Sequence, residues 1–160
     1  MEDLLKKISE YQLFNFLLSG TVLAFLITKT TPLNLLNDNI LVAVFIYYFM
    51  GLVVSRMGSL VIEPLYKKLR IVKYAPYKQY LKAVKLDSKI DILSQENNTY
   101  RTLVAMFLVY ALVYIFCWLW PEVLEQEWLP LAIAGMGVIL FSLSYRKQTK
   151  YIAARVNQHK

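Results

Sequence analysis

Four apolar runs, at residues 11–28, 40–54, 102–120 and 128–145, constrain this chain more than any other feature. A helix needs roughly 20 apolar residues to cross a hydrocarbon core of about 30 Å, and each run approaches that length. In lipid every backbone N–H and C=O has to be bonded within its own segment, which leaves the helix as the fold for such runs. Hydrophobic residues make up 58% of the 160-residue chain and charged residues only 18%, more apolar surface than a soluble domain of this size can bury. The expectation is an all-α fold, an integral membrane four-transmembrane-helix bundle. The stretch Met1-Glu2-Asp3-Leu4-Leu5-Lys6-Lys7 lacks the basic start and small-residue cleavage site of a secretory signal, so the first run reads as a retained helix.

Charge is distributed unevenly between the connections. The link at 29–39 carries Lys29 and Asp38, and the turn at 121–127 carries Glu122, Glu125 and Glu127 without a base. Residues 55–101 and the tail after Tyr145 together hold fifteen of the eighteen Lys and Arg, and Lys6 and Lys7 add to the same side. The positive-inside rule then places both termini and the long loop in the cytoplasm. Trp118, Trp120 and Trp128 flank the acidic turn, where amphipathic rings favour the membrane interface, and Pro121 and Pro130 help end and restart the helices there.

The chain divides into four segments: residues 1–54 with the first two spans, 55–101 as a basic cytoplasmic module, 102–145 with the last two spans, and 146–160 as a basic tail. The module is a helical cytoplasmic insertion between the second and third spans. Leu65, Leu69 and Val72 recur at helical intervals among lysines, and Ala75-Pro76 interrupts the pattern, which predicts two short amphipathic helices over 64–84. Asp87 or Ser88 is placed to cap a third, with Asp91 completing a capping box on Ser88, and that helix runs on into the third span.

Catalytic groups are scarce. His159 is the only histidine and Cys117 the only cysteine, so no Ser-His-Asp set, histidine metal site or disulfide framework can be assembled within one chain. The glycines fit no phosphate-loop spacing. No enzymatic role, metal or cofactor is expected.

Small and polar residues inside the spans are more informative. Gly51, Ser55 and Ser59 recur every fourth position along the second helix, and Gly135 lightens the fourth, a pattern that lets helix backbones approach within one bundle or between subunits. Gln12, Asn15 and Ser19 share a stripe of the first helix, open to two readings: interhelical bonds or pore lining. Arg56 and Glu63 stand two turns apart on one face of an α-helix. Arg56 either snorkels to the interface or belongs to an ion pathway or a salt bridge with Glu63 or Glu96, and a ring of arginines would favour anions. In the loop, Lys67, Lys68, Arg70, Lys73 and Lys78 alternate with tyrosines, a composition suited to membrane lipid headgroups or to a nucleotide or oligonucleotide.

The acidic turn, the passage from Arg56-Met57-Gly58 to Glu63-Pro64, and the segment Glu96-Asn97-Asn98-Thr99-Tyr100-Arg101 together resemble a class of very small bacterial four-helix membrane proteins. These are effectors of anti-phage defence systems and include the tetrameric channel effector of Hailong-type systems. The resemblance covers the architecture of the whole chain through short motifs. It implies a homo-oligomer such as a tetramer, with a pore controlled by a nucleotide-type signal at its cytoplasmic part. On this reading Gln12, Asn15, Ser19, Arg56 and Glu63 line or gate the pathway, and the five loop bases receive an anionic ligand or a cytoplasmic partner protein. The alternative is a non-conducting membrane scaffold that recruits a soluble partner.

Overall fold

A computed structural model describes residues 2–119 and 127–159, with side chains from Tyr11 onward. The expectations for Trp120, Pro121, Glu122 and Glu125, and for the side chains of Lys6 and Lys7, fall outside the described residues. Every regular element of the described chain is helical: α1 (Glu2–Thr30), α2 (Ile40–Met57), a π-helical turn (Gly58–Ile62), α3 (Glu63–Lys68), α4 (Tyr77–Leu86), α5 (Lys89–Trp118) and α6 (Leu129–Gln158). Four stretches are long and apolar enough to cross a membrane, and α2, the π turn and α3 form one of them without a break.

Local chemistry sets the helix ends. Pro32 disfavours helical geometry at Thr31, and α1 stops at Thr30. The side chain of Asn39 accepts hydrogen bonds from the backbone N–H groups of Leu41 and Val42 at 3.0 and 3.4 Å and so starts α2. α3 ends in a Schellman motif, with Ile71 N–H donating to Tyr66 C=O at 2.9 Å and Arg70 N–H to Lys67 C=O at 3.1 Å. Arg70 holds the left-handed position there, at φ 57°. At the start of α5 the Asp87 carboxylate accepts from Lys89 N–H at 3.1 Å, whereas Ser88 makes no side-chain cap bond. The expected capping box is absent because Asp91 turns along the helix to accept from Gln95 at 3.3 Å.

α5 is the hub, packing against α1, α2, the π turn, α4 and α6. α1 and α2 form an antiparallel pair whose backbones touch. A Cβ on Gly20 would stand 1.8 Å from the Tyr47 carbonyl oxygen, and one on Gly51 would stand 1.8 Å from that of Phe16. Between α5 and α6, the Phe107 and Phe141 rings stack at 5.8 Å, and Gly137 leaves room for Phe107. At the far end the Tyr110 hydroxyl donates to Thr30 at 3.0 Å, and Trp118 meets Trp128 edge-on at 5.8 Å.

α5 is about 45 Å long at 1.5 Å per residue, well beyond a hydrocarbon core of about 30 Å. Its surplus lies at the end that carries the start of α1, the end of α6 and the basic loop. There Ala83, Ile90, Ile152 and Val156 form a second apolar core, with Tyr80, Val84 and Leu93 against it. This core joins the loop segment to the end of α6. Arg155 pairs with Asp87 across it, and His159 Nε2 lies 3.5 Å from the same carboxylate.

These contacts make two outcomes testable. Gly51→Leu should separate α1 from α2 and cost several kcal/mol, on the order of the largest single-site losses; thermal unfolding in detergent at the wild-type temperature would exclude the close approach. The hydrogen bond from Arg155 holds the Asp87 carboxyl below its ordinary value of 3.8. A depressed carboxyl stabilises the fold above its unfolded value and loses that contribution as pH falls through the folded one. Protection of the α4 amides, taken relative to their intrinsic exchange rates, should therefore fall below pH 3.8 in the wild type, and Asp87→Asn should be less protected at neutral pH with less change on acidification.

Candidate functional site

Polar groups converge where the spanning bundle meets the outer core. The π turn brings this about. The Glu63 N–H bonds to the Gly58 carbonyl five residues back, so one extra residue is taken up in this turn of the helix. An added residue rotates the downstream part of the helix by about 100°. Arg56 and Glu63 therefore leave the common face that an uninterrupted α-helix would give them. Glu63 turns toward α5 and pairs with Arg101 and, at 2.7 Å, with Lys67. Arg56 is exposed, and among the described residues its ion-pair partner is neither Glu63 nor Glu96, whose carboxylate accepts from Gln148 at 2.7 Å.

Around Glu63 and Arg101 lies a cleft of about 440 Å³. Its lining includes Lys67, Tyr74, Tyr77 and Tyr80 from the loop side, Ser94, Asn97 and Asn98 from α5, and Thr149 and Ile152 from α6. Lys67 Nζ sits 4.6 Å above the ring of Tyr74, whose hydroxyl meets that of Tyr145. Burial, followed by that hydroxyl contact, raises the Tyr74 phenol above its ordinary value of 10.0, so it stays protonated at neutral pH. Asn97 is 4% exposed and uses its Oδ1 to accept from Thr149 at 3.2 Å. Arg101 Nε is buried and has no hydrogen-bond partner among the described residues. With two cations and one carboxylate, the cleft carries one positive charge in excess. It offers hydrogen-bond donors to an anion and has no nucleophile–base pair.

The residues expected from the sequence divide between this cleft and other places. Glu63 and Lys67 line it; Lys68, Arg70, Lys73 and Lys78 are exposed outside it. Asn15 and Ser19 are buried inside the chain, at 6% and 0% exposure. Asn15 Nδ2 donates to Thr102 at 3.5 Å, Thr102 donates to Ser55 at 3.3 Å, and Ser19 returns a bond to the Asn15 carbonyl at 2.8 Å. That chain of bonds ties α1, α5 and α2 together, whereas Gln12, on the same nominal stripe, is exposed. Gly51 packs as its spacing suggests and Ser55 bonds across to α5, but Ser59 bonds back to the Arg56 carbonyl at 2.9 Å. Gly58 takes the close position instead, where a Cβ would lie 3.3 Å from the Arg101 carbonyl oxygen. Gly135 meets nothing within 4 Å, and Gly137 is the packed glycine of α6.

Asn97 and Arg101 enter from the sequence only as part of the motif from Glu96 to Arg101, not as site residues, and Thr149 does not enter. A signal was available in the polar series Ser94, Asn97 and Arg101, whose spacing places them on one face of α5 as it approaches its apolar run.

Removing Glu63 leaves the guanidinium of Arg101, 13% exposed, without its carboxylate. Glu63→Ala should destabilise the protein by about 3 kcal/mol, and adding Arg101→Met should restore part of the loss. Equal melting of wild type and Glu63→Ala would exclude a structural role for the pair. Comparisons with protein families, curated proteins and solved structures find no match for this chain.

Proposed function

We propose that the protein is a homo-oligomeric membrane pore whose basic end, on the cytoplasmic side, controls ion passage. The observation that carries this reading is the exposure of Gln12 and Arg56 on the α1–α2 pair. Gly51 packs on Phe16, so the next turn of α2, with Arg56, is level with Gln12 on α1. Arg56 lies about 24 Å along the helix from Ile40, inside or at the edge of a core about 30 Å thick. A guanidinium facing lipid costs on the order of 3 kcal/mol at the centre of the core and less where it snorkels to the interface; water between copies of the chain removes that cost. Asn15 and Ser19 hold the bundle from within, so the pathway in this reading is lined by Gln12 and Arg56 between subunits. The resemblance to small four-helix effectors of anti-phage defence supports the same assignment.

Purified protein in liposomes should pass small ions, with a preference for anions that Arg56→Glu reverses toward cations. Reversal potentials across an ion gradient measure the preference. Absence of flux from a protein that is monomeric in detergent would overturn the pore and favour the scaffold.

A further inference from the structure

We infer that the cleft between α3, α5 and α6 binds the phosphate group of a phosphate monoester. This gives the proposed pore a ligand class and, as a regulatory site, rests on that reading; the binding itself is measured without ion flux.

The lining of the cleft holds donors suited to an oxyanion. Arg101 keeps a buried Nε without an acceptor among the described residues, beside the nitrogen engaged by Glu63. A guanidinium presents its N–H groups as a planar fork that matches two oxygens of one phosphate. Lys67 is half-exposed at the rim and brings a second positive charge. Asn97, nearly fully buried in the lining of the cleft, spends its oxygen on Thr149, and its amide N–H groups are the donors it has left. The one carboxylate, Glu63, is already paired with both cations, so the site favours an added anion over a divalent metal. The volume of about 440 Å³ exceeds that of bare phosphate and falls in the usual range for small ligands, about 300 to 1,000 Å³. Tyr77 and Ile152 offer apolar surface to the remainder of the molecule.

Position gives the site a consequence. Glu63 and Lys67 come directly after the π turn, and a phosphate that takes Arg101 and Lys67 competes with Glu63 for both. Occupancy therefore bears on the contact between α3 and α5, which among the described residues are joined by charge through this pair alone. A phosphate monoester reaches this level either dissolved on the basic side or as the headgroup of phosphatidic acid in the adjoining leaflet.

The test uses the full chain. In detergent, inorganic phosphate and glycerol phosphate are titrated against chloride at equal ionic strength, with thermal unfolding and calorimetry as readouts. In nanodiscs, phosphatidic acid is compared with phosphatidylcholine. Binding of the soluble probes identifies a free ester and stabilisation by phosphatidic acid alone identifies the headgroup; either upholds the site. Lys67→Gln, at an exposed position that does not threaten folding, should weaken binding about tenfold, and Arg101→Lys should weaken it while keeping a charge beside Glu63. Lys78→Gln, outside the cleft, should bind as the wild type does. No response to any probe, affinity unchanged in both Lys67→Gln and Arg101→Lys, or an equal loss in Lys78→Gln would overturn the proposal.

Discussion

The ion pair between Glu63 and Arg101 joins α3 to α5 just where the apolar spans give way to charged surface. Both partners are largely withdrawn from water, and a buried charge is tolerated only when its partner is fixed in place. That requirement reaches outward from the pair. Glu63 faces α5 because the π turn has rotated it there; the π turn fits because Gly58 lets the helix lie against the Arg101 backbone. Lys67 then falls beside Glu63 and above Tyr74, and the hydroxyl contact between Tyr74 and Tyr145 carries the same cluster onto α6. One electrostatic contact thus aligns three helices at the membrane boundary.

Elsewhere the bundle relies on close approach and short polar bonds. In lipid, apolar side chains gain little by meeting one another, so helix association depends on packing and on interhelical hydrogen bonds. Gly20 with Gly51, Gly58 against Arg101 and Gly137 under Phe107 supply the packing. The series Asn15, Thr102, Ser55 supplies the bonds. These features leave α2 and α6 with broad apolar faces, including Phe45, Phe49 and Val53 on one and Met136, Ile139 and Leu143 on the other.

How legible was this in the sequence? The four long apolar helices were, because run length and backbone bonding in lipid leave little choice, and so was the start of α4 after Ala75-Pro76, although α3 ends at Lys68, before the Leu69 and Val72 that the spacing assigned to its helix. The site was legible only in part. Extrapolating a 3.6-residue period through 56–63 put Arg56 and Glu63 on one face, and nothing in Met57-Gly58-Ser59 announces the extra residue of a π turn. Arg101 was counted as one base among many in a loop, since charge totals do not reveal pairing. Asn15 and Ser19 resembled pore-lining residues because a polar stripe in a span looks the same whether it faces water or a neighbouring helix. Gly135 and Gly137 are two residues apart and sit on different faces, a distinction that needs the rotation of α6 and cannot come from spacing alone.

The outer core has an implication for biogenesis. Ala83 and Ile90 are covered by Ile152 and Val156, and Asp87 is held by Arg155, so its parts come from opposite sides of two membrane crossings. The end of α6 is synthesised after every other element of the bundle. The core therefore cannot close on the nascent chain until the last crossing has been delivered to the membrane. Completion of this outer unit becomes a checkpoint on insertion: a molecule that has lost its fourth crossing also lacks the surface that orders α4.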